Sequence, residues 1–465
     1  MLRRGSAPYR PRAVRPQSLR HTEAVVRDRL AAFAGQASLC FALAAGGLAW
    51  GGACQAQELG GYFPSGAAGY EQELGVTVQT RLHPDYEPTG IQAGAFVIHP
   101  SLDESTFYNS NVNGTPGSGS FGLQTAGEVS ATSDWGRNNL DAEVGVDNHQ
   151  FFSFPGEHYT DWNIGLAGGY TIDENPLTIG YYHDSFHQLG VGLATVESQT
   201  PVADQTDSAR LGYTFTFSRL TVSPEFSISA YQFGMATVLG EPVNLRFLDH
   251  NVFAADVTNR YSLSDEGGLL MLLQGFASRY PNVQVGQPSN DSNSFMLLGG
   301  IDYQSKSVWR YRLLFGVEVR TFSAPEFPSH TAPVMEGDVT WQPTGLTTVT
   351  GSLSRLIEDP QSADTSGYVL TQGQVAVDHE LERNVIVEGR ASAGYVQYLQ
   401  GSDQTTASIG GNVQWLINRN FRLSGGISYT RQLGTNASAS AANLATITTG
   451  SYSQTMILLA LHVAF

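Results

Sequence analysis

Beyond residue 54 the chain has no cysteine; its two, Cys40 and Cys54, lie within the first 56 residues. The remainder therefore has no disulfide framework and no thiolate metal site. Charge is also sparse, at 14% of residues against the usual quarter. Past residue 56 no run approaches the ~20 apolar residues that a membrane helix needs, so helical spans are excluded there. The charge that is present leans to one sign. Residues 1–56 hold eight arginines and two acids, and removing them takes 25 basic and 42 acidic side chains to 17 and 40, a net charge of −23. That balance excludes a nucleic-acid partner, whose phosphates demand a basic footprint.

Arginines from Arg3 to Arg29 precede the apolar stretch LAAFAGQASLCFALAAGGLAW, the pattern of a secretory signal peptide over residues 1–56. Cys54 and Ala56 are the small residues that place cleavage after Ala56. Read as a lipobox ending at Cys54, GGAC lacks the aliphatic residue expected three positions earlier.

Glycine (51 residues) and aromatics (11%) are plentiful, and much of the chain alternates apolar and polar residues in long stretches. In VWRYRLLFGVEVRTF, Trp309, Tyr311, Leu313, Phe315, Val317 and Val319 share one face. Arg310, Arg312, Glu318 and Arg320 share the other. Soluble strands average about five or six residues, whereas a strand crossing a bilayer needs about ten. Tight turns at 134–138, 173–176, 218–219, 264–268, 304–307, 342–345, 380–383 and 417–420 alternate with longer polar connections. This is the turn-and-loop rhythm of an outer-membrane barrel. Eight turns predict an all-β, transmembrane antiparallel up-and-down β-barrel of about 18 strands, with 16 as the alternative. The first strand starts near Gly90, the last ends at Phe465, and both termini face the periplasm. A soluble propeller or solenoid predicts a motif recurring at fixed period, and no such repeat is present. Aromatics also sit at strand ends, where a membrane interface places them.

The last stretch, SYSQTMILLALHVAF, puts Phe465, Val463 and Leu461 on one wholly apolar face. As a free edge this strand would be a liability; pairing with the first strand removes the edge. Its terminal aromatic resembles the signal by which barrel-assembly machinery recognises clients. Residues 57–89 form a periplasmic or lumen-entering segment, too short for the folded plug of an energised receptor.

Arg81, Pro84, Tyr86, Pro88, Gly90, Ile91, Gly94, Phe96 and Pro100, in RLHPDYEPTGIQAGAFVIHP, resemble the opening of the Putative β-barrel porin 2 family. SDWGRNNLDAEVGVD resembles that family's turn into its third strand. The chain departs from the family at YNSN, near Asn111, where relatives often carry acids. The resemblance implies a Gram-negative outer-membrane barrel, in some relatives linked to exopolysaccharide production or export, with no catalytic residues.

Function in such a barrel belongs to side chains facing the lumen. Alternation assigns Arg310, Arg312, Glu318, Arg320, Arg210, Glu388, Arg390, Asp141, Glu143 and Asp147 to it. Opposed arginines and carboxylates set a transverse field that selects polar solutes; the same charges can also simply pair in a wet interior. His183, Asp184 and His187 lack a third ligand at metal spacing. His462 is too far along its strand from Ser451 and Ser453 to serve as a nucleophile's base. No cofactor or metal is expected. The acidic loops IEDPQSAD and SNDSNS offer oxygen ligands for Ca²⁺ but read as ordinary solvated loops. The expected function is a passive channel for polar solutes or secreted polysaccharide. The alternatives are a non-conducting barrel closed by residues 57–89 or an inturned loop, and, least supported, a barrel enzyme. The expected partners are outer-membrane lipid, lipopolysaccharide and the assembly machinery.

Overall fold

A run alternating apolar with polar or small residues can satisfy lipid on one side and water on the other only as a strand in a closed sheet. The computed structural model describes residues 77–465 except 115–116, 134, 194, 196–197, 239, 285, 305–307, 361–364, 401–402 and 435–450. The expected leader, 1–56, and most of the 57–89 segment lie outside the described residues.

The strands are β1 (Ile91–Ala93), β2 (Phe96–Asn109), β3 (Ser120–Ser133), β4 (Asn138–Phe151), β5 (Tyr159–Ile172), β6 (Asn175–Gln188), β7 (Val202–Tyr213), β8 (Phe215–Phe217), β9 (Leu220–Phe233), β10 (Met235–Val238) and β11 (Glu241–Asn244). They continue as β12 (His250–Ser262), β13 (Gly267–Arg279), β14 (Ser292–Gln304), β15 (Trp309–Phe322), β16 (His330–Thr344), β17 (Thr347–Glu358), β18 (Tyr368–Glu382), β19 (Val385–Tyr398), β20 (Gln404–Leu416), β21 (Phe421–Gly434) and β22 (Tyr452–Ala464).

Eighteen of these close an antiparallel barrel, each pairing with the next in chain order and β22 returning to β2. Short β8 prolongs β7 along β9, and β10 and β11 form a hairpin inside one loop. The seam runs from Ser101↔Ala464 to Asn109↔Met456. Where β22 runs out, β1 covers the remaining edge of β2, pairing Ile91 with Ile98 and Ala93 with Phe96. Among the described residues, no stretch of the β2 edge is left long enough to recruit another chain.

All eight tight turns predicted from the sequence join strands at one end, here called the turn end. The β5–β6 turn has only Asp173 and Glu174, both at positive φ (57° and 144°), which gives the twist a two-residue hairpin requires. Longer connections gather at the opposite, loop end. The barrel strands run from 12 to 15 residues, longer than the roughly 25 Å apolar band requires at about 3.4 Å per residue.

Outward faces are apolar with aromatic rims. Trp309 and Trp341 stack 5.3 Å apart near the turn end, and Trp162, Tyr395 and Tyr429 are exposed towards the loop end. The inner face is polar over much of the ring, but not everywhere. Leu270, Leu272, Met296, Leu298, Leu314 and Val334 form a buried inner cluster on β13–β16.

Candidate functional site: the barrel lumen

Two loop-end connections turn inward. Residues 189–201 join β6 to β7, yet Leu193 is buried in one apolar cluster with Tyr368 and Leu370 of β18 and Val396 and Tyr398 of β19, on the opposite side of the ring. A Cβ placed on Gly394 of β19 would lie 2.5 Å from Leu193 Cδ1, so the glycine is the socket that receives this side chain. The β10–β11 hairpin adds Ala236 and Val238, and the 3₁₀ turn after it Leu245 and Leu248, to the same cluster. The two loops are tied together: Thr237 N donates to Ser198 Oγ (3.0 Å), Gln199 N to the Thr237 carbonyl (2.7 Å) and Gly240 N to Gln199 Oε1 (2.7 Å). Together they lay an apolar bar across the lumen.

Beside that bar, at the loop ends of β13–β17, one buried cation is paired and sealed. Arg320 is fully buried (0% exposed). Its Nη1 donates to Asp359 Oδ1 (2.9 Å), its Nε to Ser294 Oγ (2.9 Å), and its Nη2 to the Ile357 carbonyl (3.0 Å) and to Glu318 Oε1 (3.4 Å). Its guanidinium also lies 5.2 Å from the Phe276 ring centre. Asp359 begins the 359–367 connection and accepts from Ser278 Oγ as well, so this knot fastens a loop to the wall. His250, stacked between Tyr231 (4.7 Å) and Tyr280 (4.8 Å), lies 3.8 Å from Asp359. Towards the turn end, Arg260 pairs with Asp302 (2.8 Å) and Arg312 with Asp338 (2.6 Å), and on β19 Arg390 pairs with Glu388 (2.6 Å).

The wall formed by β3–β6 differs. Glu128, Glu143, Asp147, Asp161 and Asp184 face inward without an arginine among them. Their bonded partners are amides and imidazoles: Gln124 Nε2 to Asp147 (2.8 Å), Asn163 Nδ2 to Glu143 (3.0 Å) and His187 Nδ1 to Asp161 (2.7 Å). The Tyr159 ring is sandwiched between His149 (4.5 Å) and His187 (5.4 Å). Side chains here are 17–24% exposed at His149, Asp147, His187 and Asp161, so water in the lumen reaches them.

At the turn end the described part of the leading segment lies against the inside of β17–β20. Val78 is buried with Ile386 and Leu416, and its N–H donates to Thr348 Oγ1 (3.0 Å). Gln79 donates to Asp378 (2.8 Å), Arg81 to Glu380 (2.9 Å) and Arg419 Nε to the Pro84 carbonyl (3.1 Å).

A closed barrel with short turns at one end and loops folded inward at the other narrows identity to porin-like proteins, and the family comparison decides it. The family model of Putative beta-barrel porin 2 matches residues 83–452. The chain belongs to that family. A search of curated proteins returns no match. Solved structures similar to this porin include outer membrane protein OpdK of Pseudomonas aeruginosa (9% identity, TM-score 0.43, 79% of this chain and 99% of that one). A BenF-like porin of Pseudomonas fluorescens Pf-5 gives 11% identity, TM-score 0.41, and 80% and 99% coverage. The FrpB iron transporter of Neisseria meningitidis gives 7%, 0.42, and 81% and 82%.

Within the porin barrel, the residues assigned by alternation fall into two groups. Arg312, Glu318, Arg320, Glu388 and Arg390 sit in ion pairs, and Arg310 and Arg210 are half-buried on β15 and β7. Asp141, Glu143 and Asp147 lie on the arginine-free wall. Leu461, Val463 and Phe465 point outward at the seam, where Phe465 N donates to the Pro100 carbonyl (3.2 Å). His462 pairs with Asp103 (2.9 Å), while Ser451 bonds Gly434 at the far end of β22. His183 and His187 are held by different aspartates, Asp207 and Asp161. Among the described residues no three metal-capable side chains converge. Sequence reasoning missed Asp161, Asn163 and the apolar bar. Continuing the two-residue alternation through TDWNIG would have placed the first two opposite Trp162. The bar gave no such signal, because VGLATV and GMATVL carry no periodicity that says inward.

Proposed function

We propose that this porin is an outer-membrane channel for small polar solutes that prefers cations, with the turn end and both termini facing the periplasm. The observation that supports it is the β3–β6 wall, where carboxylates reach water in the lumen with no arginine among them. A wall of one sign in a narrowed, low-dielectric passage concentrates counter-ions there. Asp141, Glu143 and Asp147 belong to this selectivity surface. Arg320 and Glu318 anchor the loop end instead, Arg310, Arg312 and Arg390 belong to the facing side, and Arg210 stands on β7 at the border of the acidic wall, packed over Gly180 of β6. In planar bilayers under a KCl gradient the reversal potential is expected to report potassium over chloride. A heat-modifiable, folded preparation with no conductance, or with chloride preference, overturns this reading.

The apolar bar favours a second reading, a barrel held closed until the 189–201 and 234–249 loops withdraw. It also weighs against the exopolysaccharide export implied by the family resemblance, since a polymer would have to displace the bar. Conductance that appears only after the bar is loosened selects the closed form.

A further inference from the structure

Asn163, on β5, is 1% exposed and its amide is half used. Its Nδ2 donates to Glu143 Oε1, while its Oδ1 has no hydrogen-bond partner. Directly across the ladder stands Asp184. On the other side of β5, Asp161 faces Asp147, whose Oδ1 is buried with no hydrogen bond and has His149 Nδ1 3.5 Å away. Asp147, Asp161 and Asp184 are close enough for Asp161 to repel each of the other two. These groups accept hydrogen bonds and need donors, and a buried acceptor left unmade costs about 1–3 kcal/mol. Water could satisfy one oxygen but could not relieve the repulsion; a cationic donor does both. The acceptors are not gathered around one point as a metal ion requires. They are strung across β4, β5 and β6, the Asn163–Asp184 and Asp147–Asp161 pairs offset by one strand (about 4.8 Å) and by two residues along β5 (about 6.8 Å), so about 8 Å apart; a single ion cannot span that distance, and a flexible chain with several nitrogens can. The Tyr159 stack beside them offers ring surface for the methylenes.

We infer that Asp147, Asp161, Asn163 and Asp184 form a subsite for solutes bearing two or more ammonium groups on a flexible chain, the linear di- and polyamine class. The inference rests on the channel reading above and names a solute for that wall. One ammonium is held between Asn163 Oδ1 and Asp184, and the next between Asp147 and Asp161.

The test is calorimetric titration of spermidine into the folded full barrel in an uncharged detergent, run alongside the conductance assay. Saturable binding is expected, weakened tenfold or more by Asp161→Asn/Asp184→Asn, with no heat of binding from 1,8-octanediol. If that double variant does not fold, Asp147→Asn reads the same site and should weaken binding severalfold. No saturable binding, unchanged affinity in a folded variant, or full displacement by equimolar Mg²⁺ overturns the inference. Saturable spermidine binding to a barrel without conductance would sink the channel reading alone.

Discussion

The two sides of the lumen use the same kinds of side chain for different work. On β14–β17 charges come in matched sets: Arg320 is surrounded by Asp359, Glu318, Ser294 and a carbonyl, and Arg312 holds Asp338. On β3–β6 the carboxylates have amides and imidazoles for company and stay in reach of water. A charge that is buried and neutralised by its neighbours presents little field to a passing solute. One left wet and unmatched presents its field to the pore. Within this fold, then, pairing rather than inward orientation separates a structural charge from a functional one.

The most severe way to break the contrast is Arg320→Met. It leaves Glu318 and Asp359 buried without their cation, a loss of about 3–5 kcal/mol for a broken buried pair. The folded band should unfold at a lower temperature in heat-modifiability gels, and the 359–367 connection should become cleavable by protease. Replacing Arg320, Glu318 and Asp359 with apolar residues and Glu358 with Gln should recover much of the loss, because no buried charge is then left without its cation.

The barrel itself is legible in the amino-acid sequence. Strand existence, the eight turns and the facing of VWRYRLLFGVEVRTF all follow from a period of two, which lipid outside and water inside impose on every stave. The partners of those inward charges are not legible there. Arg320 and Asp359 lie 39 residues apart, and only the register of two successive hairpins, β15–β16 and β16–β17, and the course of the loop after β17 bring them together. The inner apolar cluster is equally hidden, since Leu269–Leu273 reads apolar on both faces and alternation cannot orient it. The socket at Gly394 makes sense only once a loop from half a ring away fills it.

Loosening the bar tests whether the two walls face an open passage. Gly394→Val removes the socket, and Leu193→Ala removes the side chain that fills it. Either should raise single-channel conductance severalfold, with the glycine variant the larger, since a branched side chain cannot coexist with Leu193 at this distance. Unchanged conductance in both would mean the bar does not limit the passage.

Charge removal sharpens the comparison directly. Asp147→Asn/Asp161→Asn/Asp184→Asn should lower the potassium-to-chloride permeability ratio severalfold with little loss of stability, because three repelling carboxylates are relieved. Neutralising Arg390 together with Glu388 should move the ratio much less, because that pair cancels itself. Equal shifts from both variants would erase the distinction between the walls. A smaller effect is expected at the turn end, where Arg81→Ala should cost about 0.2–1 kcal/mol for a partly exposed ion pair. Limited proteolysis near residue 81 reads it.

The smallest effect concerns Glu157, in the short 3₁₀ turn of the 152–158 loop above the acidic wall. Burial raises its pKa from 4.5 to about 7, against the opposing pull of a hydrogen bond with Asn113 from the neighbouring 110–119 loop. The folded state therefore favours the protonated carboxyl. Its stabilising contribution is complete below pH 4.5, declines as the unfolded carboxyl ionises first, and is gone once pH passes about 7. Amide exchange in the 152–158 loop, corrected for intrinsic rate, should consequently quicken between pH 4.5 and 7. Glu157→Gln should hold it at the slow, acid-side value throughout. If exchange in the wild-type loop is flat over that range, Glu157 is already solvated, and the acidic wall opens to water on the loop side as well as from the lumen.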